Sequence, residues 1–194
     1  GVGDALPKRF AWEGEPEDAN LPKVLVRRGA DVFERVHFAE VLTKRRVRAD
    51  AAGEFGGSPL HVAAARGHLA AAEALARRGA PAEVCDVDGA QPQHWAAANG
   101  HADLLGQLLA NGGGSSPADR WGGRPLHDAA WGGHSAAVAT LLTAGAPASA
   151  TDEAGLTPLH AAAVLGHAAI AELLLQNGAE GGAEDQGGRK PADL

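Results

Sequence analysis

Nine histidines, one cysteine and two glycine strings are the groups in this 194-residue chain that could carry chemistry. Histidine ligates zinc and moves protons near neutral pH, so nine of them raise metal binding and acid–base catalysis together. A zinc site needs three or four ligands converging on one point. Here His61, His94, His127 and His160 instead recur along the chain at one fixed interval, and His68, His101, His134 and His167 recur at the same one. Only His37 stands outside both series, near apolar residues, where a place at the edge of a core is expected. Cys85 has Glu83 and Asp86 beside it, and acids disfavour the thiolate that a nucleophile needs. A single cysteine excludes an internal disulfide and a cysteine-based zinc site. Gly112–Gly114 and Gly181–Gly182 lack the Gly-Lys-Ser/Thr ending of a phosphate-binding loop. The expectation is therefore no enzyme, no metal and no cofactor. One run remains: Lys44, Arg45, Arg46 and Arg48 either complement the dipole at the C-terminal end of a helix or contact an anionic partner.

The elements that position these residues are set by the same 33-residue step. Asp86, Asp119, Asp152 and Asp185 keep it, as do Gly56 to Gly188, Pro59 to Pro191, Gly67 to Gly166 and Gly79 to Gly178. Proline opens a helix without cost because the first turn leaves its N–H unused. Glycine closes one because it accepts positive φ. Taking one copy, residues 158–165 are expected to form a short helix stopped by Gly166. Residues 168–177 form a second, with Ile170, Leu173 and Leu174 at helical spacing, stopped by Gly178. The Gly/Asp/Glu-rich stretch that follows reads as a turn. Such a turn–helix–turn–helix unit cannot bury its apolar face alone and must stack on its neighbours.

The segment Gly155-Leu156-Thr157-Pro158-Leu159-His160-Ala161-Ala162-Ala163, with Gly166-His167 and Leu174-Leu175-Gln176-Asn177-Gly178-Ala179, resembles the ankyrin repeat almost position for position. The resemblance covers residues 53–194 as four full copies (53–85, 86–118, 119–151, 152–184) and an opening fifth (185–194). It implies an all-α ankyrin-repeat solenoid, in which the first histidine of each copy ties its own turn and the second bonds neighbouring backbone. Departures stand out. Gln91, Arg124 and Lys190 replace the usual Thr before Pro, so less rigid turns are expected in the second and third copies. Gln93 sits where Leu is usual, with Trp95 close behind it, and the indole is expected to fill the missing leucine's space. Gly112-Gly113-Gly114 is expected to loosen the turn after the second copy.

Residues 1–52 fall outside the register. Residues 1–30 read as an extended arm with Phe10, Trp12 and a possible short helix from Leu21 to Arg28. Residues 31–52 read as a capping helix with its linker. Asp31 is the expected N-cap there, and Val32, Phe33, Val36, Val41 and Leu42 form an apolar stripe. The net charge of −7 disfavours nucleic acid as main partner, and residues 51–194 carry it, with fifteen acids against seven bases. No apolar run approaches the roughly 18 residues of a membrane span, which leaves peripheral association with a membrane open. An intracellular setting is expected. The lack of any methionine fits either a processed organellar protein (plastid or mitochondrion) or a fragment.

The resemblance also implies a binding face made from turn tips and the exposed side of each first helix. Carried over by position, it comprises Phe55 and Arg66, then Val87 and Asn99, then Arg120, Trp121 and Trp131, then Glu153, Leu156, Val164 and Leu165. Trp121, Trp131, Leu156, Val164 and Leu165 are expected to form one apolar patch rimmed by Arg120, Arg124 and Glu153, since large exposed apolar patches mark interaction sites. The competing expectation is that both tryptophans fold inward. The function expected is a non-catalytic protein-interaction scaffold, adaptor or accessory subunit of a larger assembly. The alternative is a targeting or regulatory ankyrin module of a larger enzyme or transporter.

Overall fold

A computed structural model describes residues 57–194. The arm, the capping helix and its basic run, His37 and Phe55 lie outside the described residues. Eight α-helices follow in four pairs: α1 (Pro59–Arg66) with α2 (Leu69–Arg77), α3 (Pro92–Ala98) with α4 (Ala102–Ala110), α5 (Pro125–Trp131) with α6 (Ser135–Thr143), and α7 (Pro158–Val164) with α8 (Ala168–Gln176). A short 3-10 turn, Pro191–Asp193, packs on α7. The described residues contain no strand, and the architecture is the all-α ankyrin solenoid that the repeat implied.

Each first helix starts at its proline and ends at a glycine just beyond its last turn. Gly67, Gly100, Gly133 and Gly166 all have φ between 66° and 75°. That conformation lets the next N–H turn back over the helix end. His68, His101, His134 and His167 donate their backbone N–H to Ala63, Ala96, Ala129 and Ala162 respectively, at 2.8–3.0 Å, which satisfies a carbonyl the helix leaves unpaired. The second helices end alike, with Ala80, Gly113, Ala146 and Ala179 donating to Leu75, Leu108, Leu141 and Leu174 at 3.0 Å.

Packing follows from the same positions. First helices stack on first helices (α1, α3, α5, α7) and second on second (α2, α4, α6, α8), so two layers run along the array. Buried alanines, among them Ala63, Ala64, Ala96, Ala97, Ala129, Ala130, Ala161 and Ala162, let the first helices approach closely. Leu75, Leu108, Leu141 and Leu174 form a buried spine, one per pair, at the interval of the repeat. Leu60, Leu126 and Leu159 fill one slot in α1, α5 and α7.

In α3 that slot is occupied by Gln93 itself, which is 0 % exposed. The expectation for Trp95 is thereby corrected. Its indole lies toward the tip, where Nε1–H donates to Asp86 Oδ2 at 3.0 Å and the ring meets His61 edge-on at 5.8 Å. A carboxylate within reach of the indole N–H outweighs a gap that glutamine already fills. Gly113 makes that filling possible, because a Cβ there would overlap Gln93 Nε2 and crowd the Leu108 carbonyl. The glycine string therefore accommodates a polar side chain in an apolar slot.

Candidate partner-binding face

The turn tips are built on the four repeated aspartates. Asp119 Oδ1 accepts from the Trp121 and Gly123 N–H groups, both at 2.8 Å, while its own N–H donates to the Gly123 carbonyl. Asp86, Asp152 and Asp185 repeat this cradle with the residues two and four places on. An acceptor-only carboxylate gathers two N–H groups that the tight turn would leave unsatisfied. Successive tips are then tied by one backbone bond each: Arg120 N–H to the Asp88 carbonyl, Glu153 to Trp121, and Gln186 to Ala154, all 2.9 Å. Tip residues consequently stand in rows. One row holds Val87, Arg120, Glu153 and Gln186; its neighbour holds Asp88, Trp121, Ala154 and Gly187.

The first-series histidines lock each tip to the helix beneath it. His61 Nδ1 accepts from Ser58 N–H at 2.9 Å and its Nε2 reaches the Ala90 carbonyl at 3.0 Å. His94, His127 and His160 do the same with Gln91 and Gly123, Arg124 and Leu156, and Thr157 and Arg189. An Nδ1 that accepts and an Nε2 that donates define a neutral ring with its proton on Nε2. With both nitrogens engaged, no lone pair is left for a metal or a proton shuttle. Burial pushes the His61 and His127 pKa values down, against the opposing pull of the Ala90 and Leu156 carbonyls. Of the second series, His101 Nε2 reaches the Ala65 carbonyl and His134 Nε2 the Ala98 carbonyl, at 3.1 and 3.0 Å. Their rings lie against Gly67 and Gly100, where any Cβ would collide.

The turns before the prolines keep their main bond despite the lost hydroxyls. Ser58 and Thr157 add Oγ contacts of 3.0 and 2.8 Å to His61 and His160 Nδ1. Gln91 and Arg124 supply only the backbone N–H. In the last copy Asp193 occupies the histidine position, and its Oδ2 takes the Lys190 N–H at 2.8 Å. A carboxylate replaces the imidazole as acceptor.

The expected binding residues fall into distinct environments. Val87 and Trp121 stand out on the tips, 53 % and 46 % exposed. Glu153, Arg66 and Asn99 are exposed, and Leu156 and Leu165 are half-buried. Arg120 donates to the Val87 carbonyl at 2.7 Å, faces Asp88 Oδ1 at 3.7 Å and lies 6.0 Å from the Trp121 ring centre, so it braces neighbouring tips. Arg124 is half-buried and its guanidinium donates to the Ser116 carbonyl and hydroxyl. It clamps a loop rather than rimming a patch. Trp131 is half-buried against the core. Trp131 and Val164 are the last residues of α5 and α7, whereas Trp121 and Leu156 precede those helices. Seven helical residues span about 10 Å, so the five apolar residues divide into a tip group and a group at the far helix ends. The structural signals that sequence reasoning missed are the Arg120 and Arg124 clamps. Their partners, Val87 in the preceding tip and Ser116 in the preceding loop, lie outside the turn each arginine belongs to.

A family model described as "Ankyrin repeats (3 copies)" matches residues 26–117, 60–152 and 94–185. No curated protein matches the chain.

Proposed function

Since the chain belongs to the ankyrin-repeat family, a family of protein-binding modules, we propose that it is a non-catalytic scaffold or accessory subunit that holds its partner on the tip ridge. The observation that carries this reading is Trp121, a large apolar side chain raised on a backbone-tied tip and nearly half exposed. Tryptophan and arginine are the side chains most often responsible for binding energy at interfaces. A tip held by its Asp119 cradle and two inter-tip bonds presents the indole with little freedom to lose on binding. We read the array as four full repeats and the opening of a fifth, on the four helix pairs of the described residues and the turn Pro191–Asp193 that follows them. An intracellular setting, organellar included, suits the reading.

The test is affinity for the partner recovered from native extract, measured with wild-type protein and Trp121→Ala. The substitution is expected to cost on the order of 2 kcal/mol of binding while leaving the unfolding transition in place. Unchanged affinity would remove Trp121 from the interface. Trp131→Ala makes the contrasting measurement, because a core-packed indole should move stability first.

A further inference from the structure

The tip ridge also carries information about the charge of what it binds. Between residues 57 and 194 there are fourteen Asp and Glu against seven Lys and Arg. The cations at the tips are already engaged within the array. Arg120 is held by Asp88 and the Val87 carbonyl, Arg124 by Ser116, Arg189 by Asp185 at 2.7 Å, and Lys190 by Glu184 at 3.6 Å. Glu153 has the opposite standing. It is exposed, it follows Trp121 directly in the ladder through the 2.9 Å backbone bond, and its carboxylate makes no ion pair among the described residues.

Beyond Trp121 the tips become small. Ala154 and Gly187 continue its row, so the positions that follow Trp121 toward the last pair carry only small side chains and form a low shelf. Glu153 and Gln186 stand along one side of that shelf. Gln186 is fixed there by its own bond to the Glu153 carbonyl at 2.6 Å.

Resting on the reading that this ridge is the binding face, we propose that it takes a basic segment of a partner protein in which Lys or Arg alternate with large apolar residues. An apolar side chain lies on the shelf against Trp121, and the neighbouring cation pairs with Glu153. Among the described residues, an acidic segment finds no cation at the tips that is not already held, and it meets the excess of acidic over basic residues there.

The experiment uses the full chain and matched fluorescent peptides. Leu and Phe alternate with Lys/Arg in one, with Gln in the second and with Glu in the third. Binding is followed by polarisation at low and physiological salt. The basic peptide is expected to bind at least about tenfold more tightly than the Gln peptide, and more weakly as salt rises. Glu153→Lys and Trp121→Ala should each weaken the basic peptide by about tenfold. Glu172→Lys, the same charge change on α8, should leave it nearly unaffected. Equal loss with Glu172→Lys, or equal binding of the basic and Gln peptides, would overturn the proposal. If Trp121→Ala weakens the Gln peptide as much as the basic one and Glu153→Lys weakens neither, the ridge remains the binding face and the basic partner is wrong. If Trp121→Ala changes no peptide's affinity, the reading of the ridge fails along with the proposal.

Discussion

Gln93 shows how one residue can defy its position and still be accommodated. Both amide atoms are buried without a hydrogen-bond partner, in a slot that Leu60, Leu126 and Leu159 fill elsewhere. A buried polar group left unpaired costs about 1–3 kcal/mol. Gln93→Leu is therefore expected to stabilise the chain by an amount in that range, about 1–3 kcal/mol, seen as a higher urea midpoint. An unchanged or lower midpoint would mean that the amide is satisfied in solution. The converse experiment is Gly113→Ala, which should destabilise the wild type because its Cβ would meet both the Gln93 amide and the Leu108 carbonyl. Thr157→Val removes the 2.8 Å contact to His160 Nδ1 and should cost about 1 kcal/mol. Gln93 was visible in the sequence as a misfit, but its remedy was not. Gly113 comes only after the whole of α4, and nothing in a glycine string announces that its missing Cβ faces a particular amide.

At the scale of the element, each first helix depends on a neutral histidine joining it to the following tip. The pH dependence follows from proton counting. His61 and His127 have pKa values lowered from 6.5 by burial. The folded chain thus binds fewer protons than the unfolded one between the lowered values and 6.5. Stability is fully present above pH 6.5 and declines as pH falls from there through the folded pKa values. Protonation would also turn Nδ1 into a donor facing a backbone N–H, which breaks the helix-to-tip link. Urea midpoints at successive pH values should fall on the acid side of about 6.5, and a flat profile down to about pH 4.5 would contradict neutral, linking histidines. Asp185 adds a later limb of the same sign. The Arg189 N–H and guanidinium hold its carboxyl below the usual carboxylate range, so its contribution is present above the unfolded carboxylate pKa and lost as pH falls through the lowered one. Arg189→Gln should shrink that limb.

At the scale of the whole array, the main helix contacts among the described residues run within a pair or between neighbouring pairs, so stability is a chain of local terms. Leu108 sits in a pair with neighbours on both sides, whereas Leu174 belongs to the last pair. Truncating either buried leucine to alanine should cost about 2–5 kcal/mol locally. The consequences should differ. Leu174→Ala is expected to open α7 and α8 while the earlier pairs stay protected, and Leu108→Ala to split the array at α3–α4. Hydrogen exchange resolved by helix distinguishes these outcomes. Uniform loss of protection in both variants would show that the array unfolds as one cooperative unit.

The sequence was enough to establish the family and the alternation of short helices with tips, and the family resemblance implied the structural service of the repeated histidines. The helices and tips follow from local rules that act within a single repeat: prolines start helices and glycines end them. Tertiary structure decided which side chains are available to a partner. Trp121 and Trp131 are the same residue type in the same copy. One stands on a tip held clear of the core, and the other lies half-buried against it. Arg120, Arg124 and Glu153 are all charged and near the tips, yet the two guanidinium groups are engaged by neighbouring loops while the Glu153 carboxylate makes no ion pair among the described residues. Availability depends on what the stack places beside each residue, and that is settled by contacts between copies rather than by any pattern within one.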